Sequence, residues 1–203
     1  MPPANSPSGE MLTDIVVVSG LPRSGTSLMM QMLAAGGMPI VTDKIRAADS
    51  DNPHGYCEFE AVKRLKHDSS WVPGIRGQAV KLVSQLLYDL PVTERYRVIL
   101  MERNLQEIIA SQEKMLVRLG QPVAPRDAIQ KAYLLHLQKL HTWLEKEQSH
   151  LAVLPVSYNT LLAEPHFQAA RIRHFLSNHV DSEKMLAAID PGLYRNRVSS
   201  IKA

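Results

Sequence analysis

The residues from Ile15 to Met30 constrain this chain more than any other stretch: Ile15-Val16-Val17-Val18-Ser19-Gly20-Leu21-Pro22-Arg23-Ser24-Gly25-Thr26-Ser27-Leu28-Met29-Met30. The β-branched run Ile15 to Val18 is short and apolar on both faces, which suits a central strand of a parallel sheet. Gly20 and Gly25 bracket Leu21-Pro22-Arg23-Ser24, and the hydroxyls of Thr26 and Ser27 open a helix. The helical pattern runs from about Gly25 to Ala35, where Gly36-Gly37 stops it. Such a loop turns several backbone N–H groups inward, and the helix N-terminus adds partial positive charge. Strand, loop and helix in that order form an anion site suited to phosphate.

The spacing is close to the nucleotide-binding P-loop, Gly-x-x-x-x-Gly-Lys-[Ser/Thr], with one departure. Thr26 stands where the lysine should be, and a cation comes earlier, at Arg23. A nucleoside-triphosphate enzyme uses that lysine to bridge the β- and γ-phosphates. Its loss argues against a kinase or an ATPase, while Arg23 keeps the site cationic. The expected ligand therefore carries phosphate without being a Mg-triphosphate.

Length and composition bound the rest. A chain of 203 residues suits one α/β domain with a sizeable core, expected over 11–203. Residues 1–10 are polar and proline-rich and are expected to be disordered. A net charge of +3 fits a small anionic ligand, but is too weak and too evenly spread to argue for nucleic acid. The lone Cys57 excludes an internal disulfide and any multi-cysteine metal site. The histidines are scattered without His-x-x-x-His spacing, so no metal is expected. The N-terminus has neither the basic start nor the apolar core of a signal peptide, and no apolar run approaches the ~20 residues that cross a bilayer. A cytoplasmic protein without a membrane span is the expectation; the oligomeric state is not legible.

Further along, Met38 to Val41 reads as a short second strand, and a charged, turn-rich loop follows to Tyr56. A short helix is predicted over Glu58 to His67, a third strand over Gln78 to Val83 and a fourth over Tyr96 to Met101. Leu105, Ile108, Ile109, Gln112, Leu116 and Leu119 recur at helical spacing, which predicts a helix packing one face on the sheet. A long amphipathic helix is predicted over Ala124 to Ser149, with Tyr133, Leu137, Leu140 and Leu144 on a core-facing stripe. Leu151 to Ser157 gives a fifth strand, His166 to Ser177 a helix, and Asp181 to Ile189 a last short one. Strands alternating with helices imply a three-layer α/β/α fold around a parallel sheet of about five strands, P-loop NTPase-like.

A second anion site is expected past the fourth strand, because ligands of open parallel sheets bind beyond the carboxyl ends of the strands. Arg103 sits at such an end, and Ser111 lies about two turns into the next helix. An arginine fork plus a hydroxyl would hold a second phosphate.

Three motifs carry a family resemblance. Pro22-Arg23-Ser24-Gly25-Thr26-Ser27 resembles the 5′-phosphosulfate loop of the sulfotransferases, Pro-[Lys/Arg]-Ser-Gly-Thr-[Thr/Ser]. Met101-Glu102-Arg103-Asn104-Leu105-Gln106-Glu107-Ile108-Ile109-Ala110-Ser111 resembles their 3′-phosphate motif, although Leu105 and Glu107 depart from its common Pro and Asp. The stretch from Val156 to Pro165, with Arg171 to Leu176 after it, resembles the family's Tyr-Glu-Asp-Leu segment. The resemblance implies that 3′-phosphoadenosine-5′-phosphosulfate (PAPS) is the donor, 3′-phosphoadenosine-5′-phosphate (PAP) the product, and a hydroxyl or amine compound (a small molecule, glycan or lipid) the acceptor. It implies in-line displacement without a metal. Arg23, Ser24, Gly25, Thr26 and Ser27 would hold the 5′ end, Arg103 and Ser111 the 3′-phosphate, and Tyr158 would lie near the adenine.

Lys81 opens a stretch, Lys81-Leu82-Val83, that resembles the family's Lys-Thr-His, which implies that Lys81 contacts the donor. Val83 stands where the family's basic histidine would be, so a base must come from elsewhere. Asn52-Pro53-His54-Gly55-Tyr56-Cys57-Glu58 resembles an Asn-x-x-Gly-x-x-Glu segment of bacterial sulfotransferase-like proteins and makes Glu58 the leading candidate. A helix-start carboxylate favoured by the dipole is the alternative account of Glu58; His54, Asp51 and Asp49 are rival bases. A P-loop kinase of a small metabolite, and a nucleotide-binding module of the same fold that has lost its chemistry, stay open beside the sulfotransferase.

Overall fold

The computed structural model describes residues 12–43, 45, 55–146, 148–190 and 192. Among them, four strands make one parallel sheet in the order β2-β1-β3-β4: β1 is Ile15–Gly20, β2 Ala79–Val83, β3 Tyr96–Glu102 and β4 Leu151–Ser157. All six residues of β1 are buried, as its unbroken apolar run requires of a strand covered on both faces.

Successive β1 side chains point to opposite faces, and each face has its own cover. Val16 and Val18 join a cluster with Met29, Met30, Met32 and Leu33 of helix α1 (Thr26–Ala35). Leu161 of α4 (Tyr158–Ala163), Ile172 of α5 (Pro165–Phe175) and Met185 of α6 (Ser182–Ala187) complete it. Ile15 and Val17 face the other way, onto Val62, Val72, Ile75 and Leu87 of three 3-10 turns and onto Leu140. At about 1.5–3 kcal/mol for each fully buried aliphatic side chain, these two layers supply the main drive for folding.

Several expectations change. The sheet has four strands among the described residues, not five: Met38 to Val41 contributes one isolated bridge, Ile40 to Ala79, and no strand. Ala79 N–H donates to the Pro39 carbonyl and Val41 N–H donates to the Ala79 carbonyl, both at 2.8 Å, which completes this one bridge. Pro39 has no N–H with which to continue the ladder toward the N-terminus. The helix expected over Glu58 to His67 is a 3-10 turn at Glu60–Arg64. Beyond β3, α2 (Leu105–Arg118) buries only its first turns, through Ile108, Ile109 and Ser111, and Leu119 is exposed. In α3 (Arg126–Glu145) Leu140 is the one buried residue; Tyr133, Leu137 and Leu144 are half-buried, and Leu134 and Leu135 face solvent. The stripe reaches the core only near its C-terminal end.

Strand order decides where a ligand can sit. From β1 the chain moves to β2 on one side, then crosses to β3 on the other, so the connections diverge at the carboxyl ends of β1 and β3. That divergence leaves a crevice, the usual ligand position in open parallel sheets. The loop after β1 and the residues after β3 both open into it. On the outer edge β4 carries Pro155 within its paired register, opposite Leu100.

Candidate active site

A cavity of about 650 Å3 occupies this crevice, within the size range of small-molecule sites. Arg23, Gly25, Thr26, Ser27, Glu58, Lys81, Arg103, Ser111 and Tyr158 all line it. Ser24 does not: it is fully buried beneath the loop, and its Oγ has no hydrogen-bond partner among the described residues. Asp49, Asp51 and His54 lie outside the described residues.

The loop that leaves β1 can close only because two of its residues are glycine. A Cβ on Gly20 would stand 2.5 Å from the Met101 carbonyl oxygen of β3, and one on Gly25 (φ +99°) would stand 2.3 Å from Cδ2 of Tyr158. Gly25 also ends the loop as the N-cap of α1, where no side chain caps the helix. The first N–H groups of α1 therefore face the cavity side of the loop without a side-chain acceptor, as anion binding requires. Between the glycines Arg23 adopts a left-handed conformation (φ 70°), a cost of about 1–3 kcal/mol for a residue with a side chain.

Arg103 offsets that cost. Its Nη1 donates to the Arg23 carbonyl at 3.2 Å, and its guanidinium stacks on the Tyr158 ring at 4.5 Å. Its Nε donates to Glu107 Oε2 at 2.9 Å, one helical turn on. Arg103 is placed by the cap of α2: Asn104 Oδ1 accepts from Gln106 N–H (2.9 Å) and Glu107 N–H (3.4 Å), fixing the chain as it turns from strand into helix. Tyr158 is placed in the same way, as the first residue of α4 behind the Ser157 cap, whose Oγ accepts from Thr160 N–H at 3.2 Å. Arg23 itself reaches across the crevice, donating from Nε to Ser111 Oγ at 3.0 Å. The loop after β1 and the residues after β3 thus line one continuous surface.

The other side of the cavity is organised by Lys81, on β2. Its Nζ donates to the carbonyl of Tyr56 and to Ser27 Oγ (3.4 Å), and lies 3.7 Å from Glu58 Oε1. Ser27 Oγ also donates to the Tyr56 carbonyl at 3.4 Å, and Gln31 Nε2 to the Gly55 carbonyl at 3.2 Å. Segment 55–58 is so tied to α1 and β2, with Glu58 held beside a cation. Burial pushes the neighbouring Cys57 thiol up, with Lys81 acting against it, so this thiol stays protonated and unreactive at neutral pH.

Sequence reasoning named Glu107 only as a departure from a pattern and passed over Asn159, whose Nδ2 lies 3.2 and 3.3 Å from the two Glu107 oxygens. The i,i+4 spacing of Arg103 and Glu107 was the available signal for an ion pair. The Tyr56 carbonyl left no signal, because a backbone group has no identity in the sequence. Among the described residues no group of three or more His, Cys, Asp or Glu side chains could hold a metal ion, and no helix is long and apolar enough to cross a membrane.

No protein-family model and no curated protein matches the chain. Among solved structures it is similar to the "Sulfotransferase Domain from the Curacin Biosynthetic Pathway", at 15% identity and a TM-score of 0.48, over 91% of this chain and 77% of that one. That identity and score are too low for the likeness to carry an argument about activity.

Proposed function

We propose that this chain is a sulfotransferase that takes its sulfuryl group from 3′-phosphoadenosine-5′-phosphosulfate. The observation that carries the reading is the 3.0 Å hydrogen bond between Arg23 Nε and Ser111 Oγ. It brings the loop after β1 against the start of α2, and a nucleoside with a phosphate at each end would span the two expected anion positions. The residues suit such a donor: an uncapped helix N-terminus, and Arg23, Arg103 and Lys81 around the cavity. The loop amides, Arg23, Thr26 and Ser27 hold the 5′ end, Arg103 and Ser111 the 3′-phosphate, and Tyr158 flanks the base. Bound there, the donor supplies an activated sulfuryl group and leaves as the bisphosphate.

The remaining work falls to this chain's own side chains. Glu58 takes the proton from the acceptor hydroxyl, and Lys81, 3.7 Å away, faces the charge that develops nearby. Phe59, Val62, Val83, Leu86 and Met115 also line the cavity, which suits an acceptor hydroxyl carried on a partly apolar body.

Adenosine 3′,5′-bisphosphate at a hundred times its Kd is expected to add about 2.7 kcal/mol of stability, a rise in melting temperature of roughly 5–10 °C. Mg-ATP is expected to give none. Equal stabilisation by Mg-ATP would instead favour a kinase. Glu58→Gln is expected to keep bisphosphate binding and to lower turnover of a phenolic or sterol acceptor by about a hundredfold or more. Undiminished turnover in that variant would remove Glu58 as the base.

A further inference from the structure

Glu107 is a strange neighbour for a phosphate site. Its side chain is 2% exposed, and it lies 2.9 Å from the Nε of Arg103, which is itself 8% exposed. A buried carboxylate there neutralises the cation that an anionic ligand needs. The usual account is structural, since a buried charge must be paired.

The surroundings of Glu107 say more. Asn159 donates toward both carboxylate oxygens (3.2 and 3.3 Å), and its own Oδ1 accepts from Asn104 N–H at 3.3 Å. Glu107 also stands in the first turn of α2, where the helix dipole favours negative charge. The carboxylate thus has support besides Arg103. Arg103 is likewise held by more than Glu107, through the Arg23 carbonyl at 3.2 Å and the face of Tyr158 at 4.5 Å. Each member of the pair thus has contacts besides the other.

We propose that Glu107 is a positioning residue that serves as a stand-in counter-ion, balancing Arg103 before the nucleotide binds and competing with its second phosphate once it does. This rests on the reading of Arg103 as a ligand of that phosphate. Two negative groups on one guanidinium oppose each other, so Glu107 lowers nucleotide affinity while stabilising the free protein. The bisphosphate product is released more readily as a result.

Glu107→Gln separates this role from a structural one, because glutamine keeps the shape and can still accept from Arg103 Nε. Adenosine 3′,5′-bisphosphate is titrated by calorimetry into the unchanged protein, Glu107→Gln, Glu107→Asp and Arg103→Ala, and each is melted without ligand. Glu107→Gln is expected to melt lower than the unchanged protein yet bind the bisphosphate about tenfold tighter, an ordinary size for coupled sites. Glu107→Asp keeps the charge and is expected to stay close to the unchanged protein on both measures.

Weaker or unchanged binding by Glu107→Gln, with Arg103→Ala impaired, overturns the counter-ion role and leaves the nucleotide reading standing. An unchanged protein that does not bind, or an Arg103→Ala that binds equally well, overturns the nucleotide reading and this inference with it. If Glu107→Gln does not fold alone, its circular dichroism is followed as inorganic phosphate replaces chloride at constant ionic strength. Recovery of the native signal supports the counter-ion role, and no recovery at any phosphate concentration overturns it.

Discussion

Replacing Arg103 by alanine is expected to abolish measurable binding of adenosine 3′,5′-bisphosphate and to lower the melting temperature by about 10 °C. Two separate losses produce the two effects. The first is the brace across the crevice: without Nη1 at 3.2 Å, the carbonyl of left-handed Arg23 loses its partner and the loop after β1 loses a fixed point. The second is a charge left behind, since the Glu107 carboxylate is 2% exposed. Removing one partner of a buried pair costs roughly 3–5 kcal/mol. Asn159 and the α2 dipole support the remaining carboxylate, so the low end, about 3 kcal/mol, is expected. In a chain of this size that corresponds to about 10 °C. Adding Glu107→Gln to Arg103→Ala removes the stranded charge, so the double variant should regain stability but not binding. A double variant no more stable than Arg103→Ala would show that the loss lies in the brace alone.

Gly25→Ala is expected to be as damaging by a different route. A side chain at φ +99° is strained by about 1–3 kcal/mol, and its Cβ would lie 2.3 Å from the Tyr158 ring. Tyr158 cannot easily retreat, because the Arg103 guanidinium covers it at 4.5 Å and the ring is buried. Denaturant melts should therefore show a loss of several kcal/mol, with bisphosphate binding lost as well. Combining Gly25→Ala with Tyr158→Ala relieves the overlap but not the backbone strain. Part of the stability should return, while binding should not, because the ring itself is gone. A Gly25→Ala protein with unaltered stability would contradict the close packing of loop on ring.

Much of the frame could be read from residue order, and the reasons are local. The stretch Ile15–Gly20 has no polar side chain before Ser19, so a buried strand is its only satisfactory home, and Leu151 to Ser157 is observed with the bounds its pattern implied. Pro39 shows where pattern reading stops: Met38 to Val41 has a strand's apolarity, but one missing donor limits it to a single bridge. The helix α3 shows the same from the other side. Periodicity revealed an apolar stripe, but not that α3 would reach the core only around Leu140.

The candidate site divides in the same way. Arg23, Arg103, Ser111 and Tyr158 were legible because side-chain chemistry marks them. Their mutual arrangement was not, because it depends on backbone groups such as the Arg23 and Tyr56 carbonyls, and on Asn159, which acts through a neighbour.

The proline in the outermost strand of the sheet has a consequence for the company the protein keeps. An open parallel sheet ends in rows of donors and acceptors that invite a foreign strand, and proline is tolerated at such an edge with its nitrogen turned outward. Pro155 stands within β4, opposite Leu100, with its nitrogen on the outer side, so this flank carries a residue that cannot donate to an incoming chain. On the other flank the segment at Pro39 to Val41 covers β2 through its bonds to Ala79. Molecules crowded together during synthesis should therefore resist zipping into one another edge to edge, at positions remote from the crevice.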